Sequence, residues 1–428
     1  MSKKYIKRII DKEIDKRIKA FGAIQIVGPK GCGKTRTAKE RCKTIIEFED
    51  EDNRKNYLSI ADYKPSSLLE FETPILFDEW QDAPSLWGTI RKECDDNLHF
   101  GSYFLTGSSA KIVDTPHSGT GRISTIEMLP MSLYETGDSN GLISLNDLFE
   151  NSALDVSGIK SDLTFEKLLF TCNRGGWPRI LDINDEKSQL LIAQDYYNQI
   201  INVDISKIDG VKRNSEITKS ILKSYARNIG TLCKKSKIYS DINSNYNVSN
   251  ITIDTYIEKL KELFVIYDID AWSPQIRSPK SLRAFKKHMF VDPSIALSAL
   301  EVEQNYFYSD FDLFGHVFES LVFRDLRVYA SSLNGVLSHY HDAFDLEVDG
   351  VLHLRNGKYA LIEIKLGNKD IDKGIKNLHK VVDLIKENNK NKDKLHIPEP
   401  NLLLIITASN IAYEKDGVKI IPIGCLKD

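Results

Sequence analysis

Residues Gly28-Pro29-Lys30-Gly31-Cys32-Gly33-Lys34-Thr35 satisfy the spacing G-x-x-x-x-G-K-T in full, an arrangement suited to phosphate. Glycines let backbone N–H groups curl round anionic oxygens, and a helix opening at the end of the motif adds the positive end of its dipole. Lys34 is expected to reach the β- and γ-phosphates of ATP, and Thr35 to hold Mg2+. Further on, Pro74-Ile75-Leu76-Phe77-Asp78-Glu79-Trp80 is an apolar strand that ends in two carboxylates. Asp78 is expected to bind the Mg2+ through water. Glu79 is then left to orient and deprotonate the attacking water, because a hydrolase needs a base beside the γ-phosphate while the first acid serves the metal.

A second set of chemical groups lies near the other end of the sequence. Residues two apart on a strand share a face, so Asp345, Glu347 and Asp349 are expected to project one way and Phe344, Leu346 and Val348 the other. On the next strand Glu363 and Lys365 share a face. Asp349, Glu363 fourteen residues later, and Lys365 resemble the pattern of the PD-(D/E)xK nuclease superfamily, and Glu319 on the preceding helix matches its extra acid. The resemblance implies a Mg2+ or Mn2+ held by Glu319, Asp349, Glu363 and the Ile364 carbonyl, with the metal activating water and Lys365 stabilising charge. Members of that superfamily that keep the fold without cleavage leave a binding role equally open. His339 and His341 lack a third ligand at metal spacing and are not taken as a site.

Several elements must position these groups. Ala23 to Val27 reads as a strand and Lys34 to Cys42 as a helix, and further apolar runs at Ile75 to Phe77 and Tyr103 to Leu105 suggest a mostly parallel sheet with crossover helices. Residues 1 to 20, with eight Lys/Arg against three Asp/Glu, read as a basic amphipathic helix. Residues 137 to 163 read as a loop or short insertion, with helices from about residue 164. Ile253, Ile257, Leu260 and Leu263 form one helical face; Phe264 to Trp272 alternates like a strand, and a basic loop follows over 273 to 287. That order is the order of a winged helix. Phe311 to Ala330 then reads as a helix, three strand-like runs lead to a helix at Ile371 to Glu387, and Leu402 to Ile406 reads as the final buried strand.

The expected architecture is therefore α/β and multidomain. It comprises a parallel-sheet P-loop core over 1–136, a helical lid or linker over 137–210, a winged-helix-like domain over 211–300 and a nuclease-like α/β domain over 301–428. A length of 428 residues suits two to three domains at roughly 150 residues each. Hydrophobic residues make up 41% and charged residues 28%, and a mean hydropathy of −0.31 describes a soluble, ordered chain. No apolar stretch approaches the roughly 18 residues of a membrane span, and the first residues lack a secretory core, so no membrane and a cytoplasmic location are expected. The six cysteines contain no Cys-x-x-Cys pair and are expected to be reduced thiols.

The motifs together resemble the AAA+ ATPases, more closely a bacterial and archaeal group of ATP-binding proteins with a C-terminal domain of unknown function. The resemblance rests on the phosphate loop, on Leu-Phe-Asp-Glu-Trp-Gln, on Tyr-Phe-Leu-Thr-Gly-Ser-Ser (103 to 109), on Gly121-Arg122 with the later Leu129-Pro130-Met131-Ser132-Leu133-Tyr134-Glu135, and on Gly-Gly-Trp-Pro (175 to 178). It implies that Thr106, or its rival Ser108, senses the γ-phosphate. Arg122 is implied as an arginine finger acting across a homo-oligomer, or else as a structural ion-pair partner. Arg174 and Arg179 could contact the nucleotide from a lid, or merely support a tight turn. Net charge is −3, so any nucleic-acid surface must be local. Lys219, Lys223, Arg227, Arg277, Lys280, Arg283, Lys286 and Lys287 are the candidates for DNA. The implied function is Mg-ATP hydrolysis coupled to DNA binding, with DNA cleavage by the C-terminal sheet or, alternatively, non-cleaving binding of DNA or a protein.

Overall fold

The computed structural model describes residues 4–97, 99–108, 118–274, 285–342, 344–391 and 396–428. It divides into two compact units, one formed by Met1–Pro130 with Glu258–Val265, the other by Met131–Ile257 with Ile266–Asp428. In the first, five strands are arranged in the order β2-β3-β4-β1-β5: β1 (Ala23–Val27), β2 (Thr44–Glu47), β3 (Ile75–Asp78), β4 (Tyr103–Gly107) and β5 (Ile123–Glu127). All four pairings are parallel. A parallel sheet is covered on both faces, so its central strands are buried continuously rather than on alternate residues, and every residue of β1 and β4 is buried, the polar Gln25 and Thr106 included. Ile24, Ile26, Leu76 and Phe104 pack with Ile10, Ile14 and Ala38 on one face. Ile75, Phe77 and Leu105 pack with Trp80, Leu86, Trp87 and Ile90 on the other.

The second unit opens on a helical run: Leu133–Thr136, Leu145–Glu150, Phe165–Arg174, Glu186–Gln199, Ser215–Arg227 and Lys235–Asn243. The helix Asn250–Glu262 follows in the chain, and β7 (Ile266–Ile269) pairs antiparallel with β8 (Lys287–Phe290). The helices Pro293–Leu300 and Phe311–Ser332 lead into a six-stranded mixed sheet in the order β13-β14-β12-β11-β10-β9. Its strands are β9 (Gly335–His341), β10 (Glu347–Leu354), β11 (Tyr359–Lys365), β12 (Leu402–Thr407), β13 (Tyr413–Lys415) and β14 (Val418–Pro422), with the helix Ile371–Lys390 between β11 and β12. Val348, Val351 and Leu361 of the sheet meet Ile375, Leu378 and Val381 of that helix. A short parallel pair joins β6 (Ile143–Ser144) to β15 (Leu426–Lys427).

Four expectations are corrected. The N-terminal helix covers only Asp11–Arg17: residues 4–8 form no regular element, residues 9–10 turn into the helix, and Asp11 Oδ2 accepts from the Arg8 N–H at 2.7 Å. Residues 137–163 contain β6 and a helix as well as loop. Leu402–Thr407 is not the final strand, since three more follow it. Asp345 lies ahead of β10 in a left-handed conformation (φ 57°) and its side chain is 96% exposed, so strand alternation does not carry it to the face of Asp349.

Gly-Gly-Trp-Pro serves packing within the second unit. The Gly176 N–H donates to Asp292 Oδ2 at 2.9 Å, the Gly176 carbonyl accepts from the Met131 N–H at 2.6 Å, and Trp177 Nε1 donates to Ser294 Oγ at 3.2 Å. Asp292 in turn meets Arg324 at 3.0 Å, and Arg324 meets Asp325 at 2.7 Å. All three side chains are at most 1% exposed. Removing one member of a buried charge network strands the others and costs about 3–5 kcal/mol. Arg324→Ala is therefore expected to lower the unfolding free energy by about that amount in a denaturant titration, with the thermal midpoint falling in step.

Candidate functional site

The loop after β1 carries the phosphate motif as its sequence requires. Gly28 has φ 149°, and a Cβ there would stand 2.1 Å from the Met128 carbonyl oxygen, so only glycine fits. Gly31 and Gly33 are also left-handed. Lys34 opens the helix Lys34–Lys39, and its Nζ donates to the carbonyls of Gly28 (2.9 Å) and Pro29 (2.8 Å), lying along the loop. Cys32 is fully buried, with its Sγ 3.4 Å from the Met128 carbonyl, whereas Lys30 and Gly31 are exposed. Arg8, absent from the sequence expectations, donates to the Cys32 carbonyl (2.8 Å) and the Leu129 carbonyl (2.9 Å) and ties the N-terminal segment to the loop.

Sheet register brings the acids to this loop. β3 and β4 pair with Asp78 opposite Thr106, and Asp78 Oδ1 accepts both from Thr106 Oγ1 and, at 2.8 Å, from Thr35 Oγ1. Of the two rival hydroxyls, Thr106 is the one bonded to Asp78. Glu79 follows in a left-handed conformation (φ 52°) and accepts a short hydrogen bond from Gln81 Nε2. Burial pushes the Glu79 carboxyl above its ordinary range, against the pull of Gln81 and the Lys34 ammonium. Gln81 escaped the sequence expectations although it stands in the quoted Asp-Glu-Trp-Gln. The hard oxygens of Thr35 and Asp78, side by side, fit a hydrated Mg2+.

Arg122 does not join this cluster. It precedes β5, whose first residue is in register with Ala23, the start of β1, whereas the phosphate loop follows the end of β1. Its Nε meets Asp95 at 2.6 Å. Arg174 is buried in an ion pair with Asp138, and Arg179 is 73% exposed beside Asp182 at 3.6 Å.

In the second unit, Asp349, Glu363 and Lys365 converge. A register shift between Val348 and Val351 marks a bulge in β10, which re-aims a side chain. Asp349 Oδ2 accepts from the Ile364 N–H (2.7 Å) and meets Lys365 Nζ (3.1 Å), which also meets Glu363 at 2.5 Å. The helix Ile371–Lys390 approaches closely through Gly374, where an added Cβ would lie 3.5–3.6 Å from Lys365 and Glu363. Its Asn377 lies 3.4 Å from Glu363. Glu319 points to a different partner: Lys287, which meets Glu319 at 2.9 Å, Glu347 at 2.9 Å and Asp349 at 3.9 Å. Burial pushes the carboxyls of Glu319 and Glu363 up against their lysine neighbours. It works the same way on Asp349, where Lys365, Lys287 and the Ile364 N–H outweigh it and hold the group down.

That arrangement does not fit the expected metal. The acids are turned to ammonium groups, and among the described residues no group of three or more His, Cys, Asp or Glu side chains could hold a metal ion. Lys287 was expected to face DNA and instead has a side chain only 2% exposed. It begins a strand whose four residues are all buried. Of the other basic candidates, Lys219, Lys223 and Arg227 are exposed at intervals of four along one helix, hence on one face. Lys286 pairs with Asp270 at 2.7 Å. Arg277, Lys280 and Arg283 lie outside the described residues.

A parallel sheet with G-x-x-x-x-G-K-T after its first strand and a carboxylate pair closing a neighbouring strand defines a P-loop nucleotide-binding domain. Residues 20–137 match the AAA domain family, so the chain carries an AAA-type ATPase domain. Residues 165–306 match a domain of unknown function (DUF8612), and residues 314–426 match another (DUF4143). No curated protein matches the chain. Similar solved structures include a Walker-type ATPase of Pyrococcus abyssi, 13% identical over 70% of this chain and 96% of that one, with a TM-score of 0.43. They also include the Aeropyrum pernix ORC1 protein in complex with DNA, 11% identical over 68% of this chain and 92% of that one, TM-score 0.28. A third is a STAND protein with a tetratricopeptide repeat sensor from Pyrococcus horikoshii, 14% identical over 77% of this chain and 50% of that one, TM-score 0.25. No helix among the described residues is long and apolar enough to cross a membrane.

A charged hydrogen bond is worth about 1.5–3 kcal/mol. Lys34→Ala is accordingly expected to weaken binding of a fluorescent ATP analogue by roughly 10–100-fold, measured by titration. Unaltered affinity would remove Lys34 from the phosphate site.

Proposed function

We propose that the chain hydrolyses Mg-ATP at the loop 28–35 and couples the nucleotide state to DNA binding by its later segments. The observation that carries the ATPase reading is the shared Asp78 carboxylate, bonded to Thr35 and Thr106 with Glu79 next in the chain. Backbone N–H groups of Lys30 to Gly33 would receive the phosphates, and Lys34 would exchange its two carbonyl partners for phosphate oxygens. Thr35 directly and Asp78 through water would hold the Mg2+ brought with the nucleotide, which would supply charge neutralisation. Glu79 takes the proton of the attacking water, and Thr106 reports γ-phosphate through Asp78. The ion pair with Asp95 favours a structural Arg122 over an arginine finger in a homo-oligomer.

The order of three helices and an antiparallel hairpin over 215–290 supports a winged-helix reading of 211–300, and the exposed stripe Lys219, Lys223, Arg227 supplies it with phosphate-binding charge. The convergence of Asp349, Glu363 and Lys365 on adjoining strands supports a PD-(D/E)xK-like fold for 301–428. Within that fold the two lysine counter-ions favour the second reading, a sheet that grips DNA or a protein without cutting.

Three measurements test these assignments. Glu79→Gln is expected to keep ATP affinity and slow turnover by roughly 10²–10⁴-fold. Gln81→Leu removes a bond that holds the Glu79 carboxyl down; a base must be deprotonated to act, so the acid limb of turnover should move to higher pH. Full turnover in Glu79→Gln would end the assignment. For DNA, log affinity should fall with log salt at about −0.9 per neutralised phosphate. Replacing Lys219, Lys223 and Arg227 by Ala should make the slope shallower by that amount for every phosphate no longer neutralised. An unchanged slope would assign the stripe to solvent.

A further inference from the structure

The acids of the nuclease-like sheet come from 319 to 363, but the cation that meets most of them comes from outside that stretch. Lys287 opens β8, and the hairpin of β7 and β8 is fastened along the sheet's edge strand β9. The His339 N–H donates to the Asp270 carbonyl (3.0 Å), the Trp272 N–H donates to the His339 carbonyl (2.6 Å), and His339 Nε2 lies 3.0 Å from the Phe285 carbonyl. Those bonds hold the chain on both sides of residues 275–284 and deliver the Lys287 side chain to Glu319, Glu347 and Asp349, under the face of Phe323 with its ring centre 6.0 Å from Nζ. Lys365 meets the other carboxylate oxygen of Asp349. Four carboxylates thus share two ammonium groups.

We infer that Lys287 is the resident cation of this cluster, taking up together with Lys365 the carboxylates by which a nuclease of this fold would hold its divalent metal, so that the sheet of the native chain takes up no metal and cuts no phosphodiester. The inference rests on the nuclease-like reading of residues 301–428. Three features carry it. The ammonium lies within hydrogen-bond distance of two carboxylates and near a third, as a multivalent cation would. It is nearly solvent-free, and a buried charge is not withdrawn from its partners cheaply. It also arrives from the segment matched by the other domain model, residues 165–306, so that the cluster is complete only when the hairpin is docked on β9. A residue held there is a positioning group for the sheet and its hairpin. It is not available to phosphate.

The test titrates Mn2+ into nucleotide-free protein and reads bound metal by electron paramagnetic resonance, with thermal unfolding followed in parallel. Wild-type protein is expected to show no Mn2+ uptake that depends on Asp349, and Lys287→Arg, which keeps the charge, should behave likewise. Lys287→Met should unfold at a lower temperature, gain one bound Mn2+, and recover several degrees of its midpoint when metal is added; a further Asp349→Asn change should abolish both gains. Should Lys287→Met alone fail to fold, the double variant Lys287→Met/Glu319→Gln removes one anion with the cation and is expected to give the same Mn2+ uptake. Uptake by the wild-type protein that Asp349→Asn abolishes would overturn the inference while leaving the nuclease-like reading intact. A folded Lys287→Met protein, single or double, that takes up no Mn2+ would overturn both.

Discussion

An ionised side chain taken out of water must be met by opposite charge at hydrogen-bond distance, because desolvation of each ion costs several kcal/mol. The second unit is organised round two places where that demand is severe. At one, Arg324 lies between Asp292 and Asp325, and the carboxylates go on to hold the backbone of Gly176 and Leu133. At the other, Lys287 and Lys365 divide four acids. In both, the charges fix which helix or hairpin may dock where, since any shift of register leaves a group unpaired. Apolar packing supplies the bulk of the stability, and these ionic contacts select one arrangement among the many that packing would tolerate.

The phosphate loop obeys a different constraint, backbone geometry. Gly28 passes so near Met128 that no side chain fits, which seats the loop against the segment after β5. Parallel pairing then sets Asp78 beside Thr106 with no further device. The carboxylate at the end of β3 accepts from both neighbours, whereas Glu79, turned into a left-handed conformation, accepts from Gln81 instead.

Sequence made these two sites legible to different degrees. The phosphate loop is contiguous and flanked by a strand and a helix, so every residue of it could be named in advance, and the Asp-Glu pair needed only the apolar run before it. Strand alternation put Glu363 and Lys365 on one face, and only the resemblance to the nuclease pattern joined Asp349 to them, across a bulge that alternation does not foresee; alternation also failed at Asp345, because the strand starts later. Lys287 could not be read, since a lysine after a basic loop has the signature of a solvated face. What marks it is the burial of His288, Met289 and Phe290 after it, together with a face whose four acids have Lys365 as the sheet's own counter-ion. Arg8 was hidden for a similar reason: its guanidinium ties the loop through the Cys32 and Leu129 carbonyls, which leave no trace in residue type.

The short pairing of β6 with β15 bears on how the molecule is made. Ile143 waits for Leu426, and Ser139 and Ser144 likewise bond the backbone of Leu426 and Asp428. A chain emerging from the ribosome at roughly 5–20 residues per second leaves β6 without its partner for about 15–60 s. The first five-stranded sheet, whose strands all lie before residue 130, has everything it needs long before then. Synthesis therefore exposes an assembled nucleotide-binding sheet while the second unit is still open along β6, an interval in which chaperones have an unpaired edge to guard.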